Sequence, residues 1–208
     1  MIYSVSRKLK IAFWVSFSVW VLSFFWPIPF TNNFLPELQN NPIQEKTEKE
    51  MFEYRKNEQT YFAYPRYEYE IWGVVVSQNK IGKWWNVPNS REKDLCIVWG
   101  SNLKKDLNKI NFSSGNYTCY WRNSKDEKID GLNLSNNHLV TDDNLIRYKI
   151  SNTNIGDQIR MKGYLVAYGD VKTGKIKRDT SVVRTDTGNG ACETIFVEEF
   201  EVLKTYWP

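Results

Sequence analysis

The chain of 208 residues carries 28 basic against 24 acidic side chains and is 41% hydrophobic and 15% aromatic, with nine Trp and twelve Tyr. That much apolar surface excludes disorder throughout, and the length allows one domain plus a linker. The formal charge of +4 does not mark a duplex-binding protein. Arg7, Lys8 and Lys10 supply three of the charges, and without them 25 basic face 24 acidic residues. Neutralising many phosphates demands a clear basic excess.

Residues 11–30, IAFWVSFSVWVLSFFWPIPF, hold no charge across 20 positions. At about 1.5 Å per residue, a helix of that length spans a hydrocarbon layer of about 30 Å, so a transmembrane helix is expected there. Trp14, Trp20 and Trp26 suit interfacial aromatics, and Pro27 and Pro29 end or kink the helix at its exit. A basic stretch before an apolar run is also the pattern of a cleaved signal peptide, but no small-x-small site follows Trp26, which favours a retained anchor. The next Lys or Arg after Lys10 is Lys46, which places residues 1–10 in the cytoplasm and the rest of the chain outside it.

Residues 31–65 read as a polar linker. Within it EKTEKEMFEYRKNEQ pairs Glu45 with Lys49 at i,i+4, so a short exposed helix is expected in its second half. Residues 66–208 form the expected β domain. Residues 67–77, YEYEIWGVVVS, predict a long strand bent or bulged at Gly73. Residues 94–100, DLCIVWG, and 117–121, YTCYW, predict two short strands separated by a loop. The stretch 134–150 begins with turn chemistry, and Thr141 is placed to cap a short helix. In IGDQIRMKGYLVAY, strict alternation puts Ile159, Met161, Leu165 and Ala167 on one face and Arg160, Lys162 and Tyr164 on the other, with Gly163 at a bend. Residues 169–193 read as a long basic loop, with the β-prone TSVV inside it as a hairpin extension. The last strand covers 194–203, and its apolar phase shifts at Glu198 and Glu199, which predicts a bulge.

A bent first strand, a meander, a small helix, a turn of the form GDxIxxxGxL and a closing strand together resemble the OB-fold, a five-stranded Greek-key barrel. Residues 73–76, 156–165 and 195–203 carry that resemblance. The expected fold is thus mainly β: an N-terminal transmembrane helix, a short linker helix, then a small OB-like five-stranded β-barrel with one short helix. The stretch 67–203, above all LSNNHL, GDQIRMKGYLVAY and RTDTGNGACETIFVEEFEVL, is also similar to a set of uncharacterised bacterial proteins with one N-terminal membrane span. That resemblance implies a bacterial inner membrane with the C-terminal domain in the periplasm, and no particular chemistry.

The sequence offers few residues in catalytic patterns. Asp186-Thr187-Gly188 is the aspartic-protease tripeptide, but it occurs once and follows Arg184 and Thr185, not apolar residues. Asp186 beside Gly188 and Gly190 fits a turn. The lone histidine, His138, suits a general base, yet no nucleophile motif accompanies it. Cys96, Cys119, Cys192 and His138 lack the spacing of a zinc site, so no metal and no cofactor is expected. Outside the cytoplasm a disulfide is the ordinary outcome; Cys96 and Cys119, on strands expected to be neighbours, are the preferred pair, with Cys192 a buried thiol.

Binding fits better than catalysis. Trp84 and Trp85 are adjacent in a loop-like stretch and cannot both point into one strand face. With Arg178, Arg184, Asp186 and His138 they make up the candidate ligand-binding residues. The expected function is a membrane-anchored extracytoplasmic binding or assembly module, held in the bilayer by residues 11–30, with a protein or glycan partner. The alternatives are a hydrolase using Asp186 and His138, and single-stranded nucleic-acid or oligosaccharide binding on the barrel face; nucleic acid is disfavoured by the location.

Overall fold

The computed structural model describes residues 7–23, 30–56, 58–81, 92–115, 118–183 and 192–206. Helix α1 covers Arg7–Ser23. Strands β1 (Ile43–Lys46), β2 (Phe52–Lys56) and β3 (Gln59–Ile81) follow, then β4 (Glu92–Val98), a hairpin of β5 (Asn111–Gly115) and β6 (Thr118–Arg122), and β7 (Leu134–Val140). Helix α2 (Asn144–Asn152) leads to β8 (Gln158–Asp170), β9 (Lys175–Arg178) and β10 (Glu193–Lys204). Eight strands form one sheet, and β5 and β6 form a second of two strands.

Strand β3 organises the large sheet because both of its edges are paired. One edge meets β2, β1 and β4 in turn, and the other runs antiparallel to β8 from Tyr61 to Val74. Strand β4 pairs with β7, β7 runs parallel to β10, and β10 pairs with β8. The pairings therefore pass round β3, β4, β7, β10 and β8 and return to β3.

The inner faces of these strands supply the main core: Ile71, Val75, Leu95, Ile97, Met161, Leu165, Ile195 and Phe200 are all buried. Helix α2 adds Ile146 and Ile150, one turn apart on one face. Its N-cap is Asp143, whose carboxylate accepts from the Leu145 and Ile146 amides. A second cluster covers the outer face of β3 and β4. There Val74, Val76, Cys96 and Val98 pack against Leu38, Leu103, Leu107 and Ile110. Val74, Val75 and Val76 are buried in succession because both faces of β3 are covered at that point.

Several expectations change. The sheet is larger than a five-stranded barrel. No strand among the described residues pairs the outer edges of β1, β2 and β9, so the sheet as a whole is not a closed barrel. Residues 31–65 are not a linker with a helix. They contain a 3-10 turn at Pro36–Gln39 with Leu38 fully buried, then β1, β2 and the start of β3. The i,i+4 pair Glu45–Lys49 is not helical, because Glu45 lies in β1 opposite Glu68 of β3, and FEYRK also pairs with β3, which buries Tyr54 and Lys56. LSNNHLV, read as turn chemistry, is the central strand β7, with its polar side chains buried among neighbours. The α2 cap is Asp143 and not Thr141, whose hydroxyl accepts from the Asp143 amide one step earlier. TSVV forms no strand; the hairpin is β8–β9, turned at 171–174. No helix among the described residues is long and apolar enough to cross a membrane; α1 is described over 17 residues.

Other local readings match the structure. The buried positions of β8 follow the predicted alternation, and β10 shifts register between Val197 and Glu199. That bulge lies against Gly163, where a Cβ would stand 1.9 Å from the Phe196 carbonyl oxygen. Gly163→Ala is expected to cost about 2–4 kcal/mol, or to prevent folding, because backbone cannot yield as a side chain can. Gly115→Ala, with nothing among the described residues within 4 Å of the new methyl, should stay within about 0.5 kcal/mol in the same thermal-unfolding measurement.

Lys56 is 8% exposed on β2, and burial, reinforced by Arg147 and Lys177, pushes its ammonium down to about 8 from an ordinary 10.5. Between those values the unfolded chain holds more protons than the folded one, so this group makes stability rise with pH above about 8. Below pH 8 the full penalty is present. Lys56→Met should therefore stabilise the fold at pH 7 by about 1–3 kcal/mol and flatten the rise between pH 8 and 10. Denaturant titrations at pH 7, 8 and 9.5 check this below the range where Tyr54, raised by its own burial, acts in the opposite sense.

Candidate ligand site at one end of the sheet

Asp94 on β4, His138 on β7 and Thr194 on β10 lie side by side in register across three neighbouring strands. The chain preceding β10 is fastened over them. The Thr194 hydroxyl donates to the Asp179 carbonyl (3.0 Å), the Thr194 amide to the Thr180 hydroxyl (3.0 Å), and the Ser181 amide to the Cys192 carbonyl (3.0 Å). These bonds hold Arg178, the last residue of β9, over His138.

His138 is buried, and both of its ring nitrogens are engaged. Nδ1 is 2.6 Å from Asp94 Oδ1, and Nε2 is 2.5 Å from an Arg178 guanidinium nitrogen. A guanidinium can only donate, so Nε2 is the acceptor and Nδ1 carries the proton it gives to Asp94. The result is a chain of carboxylate, neutral imidazole and guanidinium in which each group fixes the next. Asp94 is fully buried, and its Oδ2 has no hydrogen-bond partner among the described residues. The buried pair thus orients Arg178, which is itself half-buried.

That geometry bears on catalysis. A general base at His138 would need the Nε2 lone pair, and Arg178 occupies it. Cys192 is half-buried, not buried as expected, and its sulfur lies 3.6 Å from the Asn136 side-chain amide. Burial raises its thiol above the ordinary range; Glu193 and Asp94 add to the rise, while the Asn136 bond and Arg178 oppose it. A thiol held protonated in this way is a poor nucleophile.

Cys96 and Cys119 are joined in a disulfide, but not across neighbouring strands of one sheet. The bridge ties β4 of the large sheet to β6 of the two-stranded sheet. Asn136, the register partner of Cys96, lies between it and the strand that Cys192 precedes. Among the described residues no group of three or more His, Cys, Asp and Glu is arranged to hold a metal ion.

Of the residues expected at a ligand site, His138 and Arg178 are brought together. Trp84 and Trp85, in 82–91, and Arg184 and Asp186, in 184–191, lie outside the described residues. Their segments attach at this same end: 82–91 enters β4 two residues before Asp94, and 184–191 reaches Cys192 two residues before Thr194. Asp94 was missed. Its signal was a carboxylate opening an otherwise apolar strand, DLCIV, where a charge has to find a partner.

His138→Ala removes the described partner of a fully buried carboxylate and should cost about 3–5 kcal/mol. The Asp94→Asn, His138→Ala double variant should lose less than the two single losses combined, as the second change relieves the first. Arg178→Gln, at a half-exposed position, should cost only about 1 kcal/mol. Chemical denaturation of the four proteins reads the cycle; strict additivity would mean that the pair is not coupled.

No family model matches this chain, and comparison with curated proteins and with solved structures likewise gives no match.

Proposed function

We propose that this protein is a membrane-anchored binding or assembly module whose β domain, OB-like in plan, stands outside the cytoplasm and takes an anionic group of a protein or glycan partner at Arg178. The observation that carries the reading is the buried Asp94–His138 pair, which fixes the direction of a half-exposed guanidinium at the end of the sheet where two long segments attach. Orientation of a forked donor in advance lowers the entropy lost on binding a carboxylate, sulfate or phosphate.

Three features support the OB-like plan. The pairings run β3–β4–β7–β10–β8 and return to β3, β7 and β10 are parallel, and the helix lies between β7 and β8. OB-folds bind on the face of their second and third strands and on the loops after the first and fourth. Here the insertion between β4 and β7 covers part of that face with Leu103, Leu107, Ile110 and the Cys96–Cys119 bridge. Recognition then falls to the loop end, which holds Arg178.

Anchoring is supported by α1. Every described side chain from Leu9 to Trp20 is exposed, and apolar residues occupy all sides of the helix. An apolar surface of that kind is stable in water only when covered, and residues 11–30 continue without a charge beyond α1. The hydrolase reading is weaker, because His138 Nε2 is engaged.

Photocrosslinking from position 183 in intact cells, five residues after Arg178 in the chain, is expected to capture a reproducible partner, and Arg178→Glu should abolish capture while the protein stays folded. Capture that is indifferent to Arg178→Glu would overturn the site. Thiol counting on the same cells should find one bridge and one alkylatable thiol after denaturation. Three alkylatable thiols would overturn the outward location.

A further inference from the structure

We infer that the β5–β6 hairpin and the turn at Gly131–Asn133 rest on the lipid headgroup region of the bilayer that holds residues 11–30, so that the domain is fixed against the membrane and does not swing on a tether. The inference rests on the anchoring proposed above.

The argument begins where the uncharged stretch ends. Phe30, its last residue, is clamped by one side chain: the Asn108 amide nitrogen donates to the Phe30 carbonyl at 2.9 Å, and the Phe30 amide donates back to Asn108 Oδ1. The Phe30 ring meets Phe112 of β5 edge to face, with centroids 6.3 Å apart. Phe112 is the register partner of Trp121 on β6, so its side chain and the indole share one face of the hairpin. A Cβ built on Gly131 would stand 4.0 Å from the Trp121 ring, which joins the turn carrying Leu132 to the same patch. Trp121 is 37% exposed and Leu132 53%, beginning one contact away from the end of the uncharged stretch, and Tyr120, 49% exposed, presents a phenol on the opposite face of the same strand.

The surroundings have the composition of an interface. Lys104 and Lys109 flank the Asn108 clamp, and Arg122, Lys125 and Lys128 follow Trp121; all five are exposed. Over residues 100–133 six basic side chains face four acidic ones. Indole and phenol rings prefer the depth of the headgroups, and long basic side chains reach from there to lipid phosphates. The Cys96–Cys119 bridge ties the hairpin covalently to β4 of the sheet.

The test uses the full chain with Cys192→Ser and one added cysteine carrying an environment-sensitive fluorophore, reconstituted in phosphatidylcholine vesicles with a fraction of phosphatidylglycerol. Leu132→Cys reports on the patch. Thr173→Cys, in the β8–β9 turn beyond the far end of the β3–β8 ladder, is the reference. Headgroup-nitroxide lipid should remove most of the emission at 132 and little at 173, with the emission at 132 shifted to the blue. Flotation of the protein with vesicles but equal, weak quenching at both positions would overturn the hairpin contact and leave the anchor standing. Failure to float would overturn both. A blue shift at 132 without quenching would mean a protein neighbour, a second copy included, and would also overturn the proposal. In the variant with Tyr120→Ser and Trp121→Ser, quenching at 132 should fall to the level at 173 while flotation persists.

Discussion

Strand β3 is the constraint on which the rest of the structure depends. It runs for 23 residues and is hydrogen-bonded along both edges, pairing directly with β1, β2, β4 and β8. A strand of that length, about 76 Å if straight, has to bend to remain within a small domain. The bend is permitted at Gly73, where a Cβ would meet Ile97 and the Val98 carbonyl, and is aided by the register shift between Val75 and Ser77. The first part of β3 pairs with β8 along one edge, and its last part pairs with β4 along the other. The core closes between them.

Coverage of the outer face follows from the same arrangement. Val74, Val76, Cys96 and Val98 point outward and would be left wet, but the segment containing Leu38 and the insertion between β4 and β7 lie over them. Burying one such side chain contributes about 1.5–3 kcal/mol, so the cover is part of the fold and not an ornament on it. The disulfide pins this cover in place.

At one end of the sheet a buried polar chain sets the chemistry. Asp94, His138 and Arg178 come from three strands and are far apart in sequence, yet each supplies what the next lacks. The carboxylate accepts a hydrogen bond from the imidazole, the imidazole accepts one from the guanidinium, and the direction of Arg178 is fixed by the buried pair. The arrangement makes His138 a structural residue that directs Arg178 and denies it the lone pair that base catalysis requires.

Residue pattern by itself determined the β character of the domain, the alternation along β8, the bulge in β10, the short helix before β8 and the length of the uncharged stretch. These are local: they depend on side-chain period, on propensity, or on an unbroken run of apolar residues. The pairing of Cys96 with Cys119 was picked out, but for a reason the structure replaces, since the two strands belong to different sheets. Tertiary structure alone decided that Glu45 lies in a strand despite its i,i+4 spacing from Lys49, that polar LSNNHLV is central, and that Asp94 lies against His138. Each of these turns on which strand lies alongside. A strand gains its hydrogen bonds and its burial from a neighbour distant in sequence, and no local period records who that neighbour is.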